Sequence, residues 1–158
     1  MRGTRVLVHH AVHAQLDAAV ATCAGQPEAG GILLGSYRGR DLEIVGHTKP
    51  GVGDRRSAHF FERRDAAHQS AADTAWATSG GTVTFVGEWH THPAGEVQPS
   101  TIDLQTWRSQ ARAIGQPMVY ALAAPSGWGI FLVKPRLLRP SVMRLVQVEA
   151  GRVGSVFR

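Results

Sequence analysis

The architecture of this chain can be built outward from one segment, Val86-Gly87-Glu88-Trp89-His90-Thr91-His92-Pro93. Together with the residues before it, the segment predicts a central strand over Thr82–His90. Side chains alternate between the two faces of a strand, so Glu88, His90 and His92 are expected on one side if the strand continues to residue 92. Pro93 cannot donate a hydrogen bond to a sheet and therefore turns the chain out of the strand.

Strands and helices are interspersed along the rest of the chain. Apolar runs bounded by glycine, proline or polar turns predict six further strands and three helices. The strands are expected at Arg5–His9, Gly31–Gly35, Leu42–Gly46, Met118–Ala124, Gly129–Val133 and Met143–Val148, and the helices at Ala11–Cys23, Asp65–Thr78 and Ser100–Ile114. The turn at Arg38–Asp41 predicts a hairpin between the strands on either side of it. The fold class is α/β (α+β), with a mixed β-sheet flanked by helices.

Length and composition are those of an ordinary globular domain. The chain has 158 residues, and we expect residues 1–158 to form a single domain. Cys23 is the only cysteine, so no intrachain disulfide can form. The sequence contains neither a secretory signal nor a stretch of membrane-spanning length, so a cytoplasmic protein without a membrane partner is expected.

The formal net charge of +5 raises the question of nucleic-acid binding. The basic residues are almost all arginines, and they are scattered in pairs such as Arg55-Arg56 and Arg63-Arg64. A nucleic-acid surface requires a clustered basic patch with aromatic residues for stacking, and the sequence shows none. Nucleic acid is therefore not an expected partner, whereas an acidic partner protein stays open.

His90, His92, Ser100 and Asp103 form the pattern His-x-His-x7-Ser-x2-Asp. Two imidazoles and a carboxylate are a typical catalytic zinc set, because three protein ligands leave the fourth tetrahedral position for water. Ser100 and Asp103 also match a capping box at the start of the third helix, in which both side chains only satisfy backbone N–H groups. The conjunction of all four residues favours the metal site over the cap.

A catalytic metal site also needs a base that is not a ligand. Two glutamates are candidates: Glu28, in the segment before the Gly30-Gly31 pair, and Glu88, on the histidine side of the strand. The residues alone do not decide between them. Glu88 has two further interpretations, as a group that orients a ligand imidazole and as a surface glutamate.

These motifs resemble the JAMM (MPN+, JAB) family of zinc isopeptidases, above all its short prokaryotic members. The resemblance rests on Glu28-x-Gly30-Gly31-Ile32-Leu33-Leu34-Gly35, on Gly87–Pro93 and on Pro99–Asp103, and it extends from near residue 5 to near residue 135. It implies a JAMM/MPN (cytidine-deaminase-like) fold with one zinc ion and a bound catalytic water. It assigns His90, His92 and Asp103 as zinc ligands, Glu28 as general acid/base, and Ser100 as a hydrogen-bond donor to the tetrahedral intermediate.

The resemblance also implies a function. The expected reaction is cleavage after the C-terminal glycine of a ubiquitin-like protein, which removes conjugated targets in a bacterial anti-phage (CBASS-type) pathway. The expected partners are that ubiquitin-like protein or its conjugate, together with a cognate ubiquitin-activating-type conjugation enzyme. Two alternatives stay open: a peptidase that processes sulfur-carrier proteins of the ThiS or MoaD type, and a non-catalytic MPN-type protein-binding scaffold. RadC-type relatives linked to DNA repair share part of the motif, but the chain is too short for their additional DNA-binding segment.

The remaining residues are given structural interpretations. Trp89, Phe85 and Trp107 are expected in the core. The other six histidines share no ligand spacing and are treated as ordinary residues: His9, His10, His13, His47, His59 and His68. Residues 51–58 are expected to be a loop. The segments Asp54–Ser57 and His59–Phe61 are interpreted as solvated rather than as part of the substrate side.

Overall fold

The computed structural model describes residues 3–158, which form eleven strands and three helices. The helices are α1 (His10–Thr22), α2 (Ala66–Thr78) and α3 (Thr101–Ile114). The strands are β1 (Val6–His9), β2 (Gly30–Arg38), β3 (Asp41–His47), β4 (Arg55–Ser57), β5 (Phe60–Glu62), β6 (Thr84–Thr91), β7 (Met118–Ala124), β8 (Gly127–Lys134), β9 (Ser141–Leu145), β10 (Gln147–Ala150) and β11 (Gly154–Phe157).

Nine strands form one mixed sheet in the order β10-β11-β1-β3-β2-β6-β7-β8-β9. The pairs β1–β3 and β6–β7 are parallel, and the other neighbours are antiparallel. The hairpin expected around Arg38–Asp41 is formed by β2 and β3. The predicted α/β class with a mixed sheet flanked by helices is therefore confirmed.

The end of the chain differs from the sequence-based expectation. The single strand predicted over Met143–Val148 is two strands, β9 and β10, which lie at opposite edges of the sheet although only Val146 separates them. Val146 exchanges two backbone hydrogen bonds with Arg158, of 3.0 and 2.9 Å, beyond the end of β11. The sheet therefore curls until its edges approach each other. Neither this closure nor β11 has a local signal in the sequence, because both depend on long-range pairing.

The two faces of the sheet are covered by different helices. Val12, Leu16 and Ala19 of α1 are buried against one face, where α1 contacts strands from β11 across to β8. Trp107 and Ala111 of α3 are buried against the other face. The central strand β7 contributes alternate residues to the two cores, as a strand buried on both faces must. None of the three helices within residues 3–158 is both long and apolar enough to cross a membrane.

A β-bulge in β6 sets which side chains face α3. The register between β2 and β6 shifts between Leu33 and Leu34, opposite Gly87 and Phe85, so that Val86 is the additional residue. As a result, Val86 and Trp89 both belong to the core beneath α1, while Phe85 packs in the core beneath α3. The bulge thereby places Trp89 in the core and leaves its neighbours Glu88 and His90 on the side of α3.

Gly87 makes this bulge possible, since a Cβ atom at this position would lie 1.6 Å from the carbonyl oxygen of Val119. We expect Gly87→Ala to lower the free energy of unfolding by about 1–3 kcal/mol, because the clash forces β6 away from β7. Gly46→Ala is the matched control within the same sheet, since its Cβ atom would make only ordinary contacts at 3.8 Å. Urea denaturation of both variants checks this, and equal stability of the two would contradict it.

Candidate metal centre and active-site groove

The end of β6 supplies two imidazoles. His90 lies within the strand and His92 follows it, but the ladder continues because the N–H of His92 donates to the carbonyl of Ala123 over 2.8 Å. The two side chains consequently point to the same side, as the strand alternation predicts. Their Nε2 atoms are 3.1 Å apart.

The start of α3 supplies the carboxylate. Ser100 is the N-cap residue of the helix, and its side chain accepts a hydrogen bond of 3.1 Å from the N–H of Asp103. The carboxylate of Asp103 in return accepts a 2.7 Å bond from the N–H of Ser100. The same carboxylate lies 3.1 Å from Nε2 of His90 and 3.3 Å from Nε2 of His92. The two interpretations of Asp103, as a helix cap and as a metal ligand, are therefore compatible, and one side chain can serve both.

The donor set fits a metal ion. One nitrogen from each of His90 and His92 and one oxygen of Asp103 all lie within 4.8 Å of one another. Nδ1 of His92 contacts the carbonyl oxygen of Glu96 at 3.1 Å, so this nitrogen can carry the ring proton and leave the lone pair of Nε2 for a metal ion. The same Nε2 atoms donate hydrogen bonds to Asp103 when they carry protons, and a metal ion would take the place of those protons. Two imidazoles and a carboxylate are a donor set that suits zinc.

The charge of the carboxylate agrees with this interpretation. Burial by itself raises the pKa of Asp103, but the hydrogen bonds from His90 and His92 outweigh burial and lower the pKa well below its ordinary value. Asp103 is therefore ionised at neutral pH and contributes a negative charge to the centre.

Glu28 and Glu88 both line the groove that contains the three donors, a cavity of about 360 Å³. One oxygen of Glu88 accepts a 2.9 Å bond from Arg63 and a 3.1 Å bond from Gln110. These contacts do not include a ligand imidazole, so the structure does not support the orienting role considered for Glu88. The carboxylate of Glu28 has no hydrogen-bond partner anywhere in residues 3–158, so it is available to a substrate or a water molecule. Of the two carboxylates, Glu88 is engaged by Arg63 and Gln110, and that of Glu28 has no such contact within the described residues.

The environment of Glu28 suits proton transfer. Burial raises the pKa of this carboxyl group above its ordinary value, although the neighbouring His90 and His92 oppose the shift. A carboxyl group with a raised pKa accepts and releases protons closer to neutral pH than an exposed one.

A short hairpin forms one wall of the groove, where the sequence had suggested a solvated loop. Residues 55–57 and 60–62 form the two-stranded sheet β4–β5. Its residues His59, Phe60, Phe61, Glu62 and the following Arg63 line the groove. The loop expected over these segments was wrong for residues 55–57 and 60–62, which are strands, and His59–Phe61 line the groove, whereas Arg55 and Arg56 are exposed as expected. Three-residue strands carry almost no periodicity, and these strands depend on distant anchors.

The anchor of the hairpin is a buried pair, Asp54 and His68, whose side chains are 0% and 1% exposed. His68 Nε2 contacts Asp54 at 2.8 Å, and His68 Nδ1 contacts the hydroxyl of Thr48 at 2.6 Å. Asp54 also accepts backbone N–H bonds from Gly51, Arg64 and Asp65. His68 is thus not an ordinary surface residue. Sequence reasoning missed the pair because a separation of fourteen residues between a loop and a helix has no characteristic pattern.

Comparison with known proteins places the chain in a family. A family model described as prokaryotic homologs of the JAB domain matches residues 9–134. This chain is a prokaryotic JAB-domain protein. The suspected family is therefore confirmed, and the match includes each of the residues assigned above to the metal centre and the base.

Curated relatives of this JAB-domain protein include bacterial enzymes. It is 42% identical over 82 residues to a protein of Vibrio cholerae named CD-NTase/cGAS isopeptidase, a match that covers 52% of this chain and 53% of the relative. A protein of the same name from Pseudomonas aeruginosa is 42% identical over 80 residues, which is 51% of each chain. A probable metalloprotease, y4qB of Sinorhizobium fredii, is 28% identical over 108 residues, or 64% of this chain and 66% of the relative. The chain thus spans about half the length of the first two relatives.

A solved structure shares the fold. The solution structure of protein DSY2949 from Desulfitobacterium hafniense superposes with a TM-score of 0.60 at 20% identity, and covers 91% of this chain and 93% of that one.

Zinc binding to this JAB-domain protein tests the donor set. We expect zinc to raise the free energy of unfolding, by about 4 kcal/mol at a thousandfold excess over Kd, because the unfolded chain lacks the assembled site. His92→Ala removes one of the three ligands and should abolish most of this gain. His59→Ala is the matched control, since His59 lines the same groove outside the donor set. Titration calorimetry and thermal unfolding measure both effects, and equal zinc affinity in the two variants would contradict the assignment.

The buried pair predicts a dependence of stability on pH. The pKa of Asp54 is lowered in the folded protein, because backbone N–H groups and His68 outweigh the effect of burial. The unfolded chain therefore binds the proton more tightly, so the stabilisation is complete above the unfolded pKa of about 3.9 and is lost as the pH falls below it. We expect the free energy of unfolding of the wild type to fall more steeply below about pH 4 than that of Asp54→Asn. Urea denaturation between pH 3 and pH 6 measures this, with the exposed Asp73→Asn as the control; identical slopes for wild type and Asp54→Asn would contradict it.

Proposed function

We propose that this JAB-domain protein is a zinc-dependent isopeptidase. The observation that carries the proposal is the convergence in one groove of His90, His92 and Asp103 with Glu28, whose carboxylate has a raised pKa and no partner among the described residues. Three protein ligands with a separate base are the arrangement of a hydrolytic zinc site rather than of a structural one. The scaffold alternative is disfavoured, because a binding module has no need of this complete set.

Different residues of the groove carry different steps of the proposed hydrolysis. When bound, zinc polarises the scissile carbonyl and acidifies a water molecule. Glu28 accepts the proton of the attacking water and passes it to the nitrogen of the leaving amine. Ser100 stabilises the negative oxygen that develops on the carbonyl. Its oxygen already accepts the N–H of Asp103, but the hydroxyl hydrogen stays free to be donated.

The walls of the groove suit an extended peptide. Phe60, Phe61 and Trp107 provide apolar contacts beside the metal ligands. Both edges of β6 are already paired with β2 and β7, whereas the hairpin β4–β5 has only its own two strands. A C-terminal tail can therefore add to a hairpin edge by main-chain hydrogen bonds while its last residue reaches Glu28.

The substrate we propose is a ubiquitin-like protein or its conjugate, joined to its target through the C-terminal glycine. The relatives named CD-NTase/cGAS isopeptidase support an isopeptidase role with a CD-NTase as a component of the conjugate, and we place that role in an anti-phage (CBASS-type) pathway. A cytoplasmic location and a cognate ubiquitin-activating-type conjugation enzyme are parts of the same proposal. A sulfur-carrier protein is the alternative substrate with the same glycine terminus.

Incubation with defined substrates tests the proposal. The zinc-loaded protein is mixed with a ubiquitin-like protein, a sulfur-carrier protein or a CD-NTase from the same genome, each fused through its C-terminus to a reporter or linked to a lysine amine. We expect cleavage after the C-terminal residue of one of them, and its loss with chelator. Absence of cleavage of every substrate by zinc-loaded protein would overturn the proposal.

Glu28→Gln identifies the base. The variant retains size and polarity but cannot take up a proton, so we expect kcat to fall by about 10²- to 10⁴-fold while zinc affinity is retained. Glu88→Gln weakens the salt bridge to Arg63 without touching proton transfer, and its loss of kcat should be much smaller. Steady-state kinetics of both variants measure the difference. A larger loss of kcat in Glu88→Gln than in Glu28→Gln would reverse the assignment.

A further inference from the structure

The segment that carries Glu28 belongs to no helix or strand, although the position of its carboxylate is critical for the proposed reaction. α1 ends at Thr22 and β2 begins at Gly30, so Glu28 lies in the intervening loop. On one side this loop is fixed by β6, because Ala29 donates to the hydroxyl of Thr91 over 2.9 Å and accepts the N–H of Thr91 over 2.8 Å. Glu28 itself is held from the other side, by the hairpin β4–β5.

Three hydrogen bonds join the hairpin to the peptide units of Glu28 and Pro27. The N–H of Glu28 donates to the carbonyl of Ser57 over 2.7 Å. Arg56 donates through Nε to the carbonyl of Glu28 over 2.7 Å and through Nη2 to the carbonyl of Pro27 over 3.3 Å. The planar guanidinium thus spans two consecutive peptide units, which a single ammonium group cannot do in the same geometry.

Arg56 differs from the other arginines of this region. Arg55 and Arg64 contact the carboxylate of Glu62, and Arg63 contacts Glu88. Among the described residues, Arg56 has no carboxylate partner, and its hydrogen bonds go to the two carbonyl groups of the Glu28 loop. Its neighbour across the ladder, Phe61, faces the same side and packs its ring against Gly30. The central pair of the hairpin is therefore the pair that contacts the loop.

The hairpin is in turn fixed to the body of the protein by the buried Asp54–His68 pair, and its residues 59–62 line the groove. We propose that Arg56 is a positioning residue that holds the Glu28 loop against the hairpin, so that the same element that lines the substrate groove also sets the place of the base. This inference rests on the proposed function for its kinetic consequence, but its structural part does not require it.

The test compares Arg56→Ala, Arg56→Lys and Arg55→Ala in the zinc-loaded full chain. Arg55 is the matched control, because it is adjacent, carries the same charge and, within residues 3–158, has its ion pair with the exposed carboxylate of Glu62. With a cleavable fusion as substrate, we expect Arg56→Ala to lower kcat by about 10- to 100-fold, since a base displaced by about 1 Å loses that much, with KM changed less than threefold. Arg56→Lys should recover part of kcat, because lysine can donate to one of the two carbonyls. Arg55→Ala should stay within about twofold of the wild type.

Two measurements separate positioning from a general loss of structure. Zinc affinity should be equal in all variants, because the ligands lie on β6 and α3 and do not contact Arg56. Hydrogen–deuterium exchange of peptides covering residues 24–30 should be faster in Arg56→Ala than in Arg55→Ala, since the N–H of Glu28 loses its protection when the loop moves away from Ser57.

Several results would overturn the inference: equal exchange in the two alanine variants, a loss of zinc affinity in Arg56→Ala, an effect confined to KM, or a kcat of Arg56→Lys no higher than that of Arg56→Ala. If the wild type cleaves none of the substrates, the proposed function fails, while the exchange experiment still decides whether Arg56 holds the loop.

Discussion

The antiparallel pairing of β2 with β6 is the constraint on which the site depends. Gly30 lies opposite His90 in this ladder, and the bonds between Ala29 and Thr91 extend the pairing toward the loop of Glu28. Because the side-chain period of a strand is two, a slip of one residue would turn both histidines away from Asp103. One register therefore determines where His90 and His92, the proposed ligands, point and where the segment of Glu28, the proposed base, leaves the sheet.

Close backbone approach constrains β2 and β6 against each other and against their other neighbours. At Gly30, a Cβ atom would lie 2.5 Å from the carbonyl oxygen of Trp89. At Gly31, it would lie 2.2 Å from the carbonyl oxygen of Thr48, and at Gly87, 1.6 Å from the carbonyl oxygen of Val119. These glycines occupy positions where no side chain fits. A shift of the strand along the sheet would place other residues at these positions, and their Cβ atoms would clash with the same carbonyl oxygens. The glycines of the motif thus act through packing, and the chemistry of the histidines depends on them.

Much of this could be predicted from the sequence, and the limits have a physical cause. The alternation in β6 and the capping pattern of Ser100 and Asp103 are local sequence patterns. Strand and helix geometry therefore suffice to predict His90, His92 and Asp103 as candidate ligands. The choice between Glu28 and Glu88 could not be made from local sequence patterns, because it depends on the salt bridge between Glu88 and Arg63, which follows the distant hairpin. The hairpin itself, the Asp54–His68 pair and the closing of the sheet at Val146 all arise from contacts between segments without a periodic pattern.

The two halves of the site are held by different parts of the fold. His90, His92 and Asp103 are fixed by a central strand and by the first turn of a helix, and their placement involves no residue of the hairpin. Glu28 is fixed between β6 and the hairpin, whose anchor at His68 lies on α2. The proposed metal ligands and the proposed base can therefore respond to different perturbations. A change confined to the hairpin would act on Glu28 and on the groove wall that the hairpin forms, whereas a change in the register of β6 would also act on the histidines.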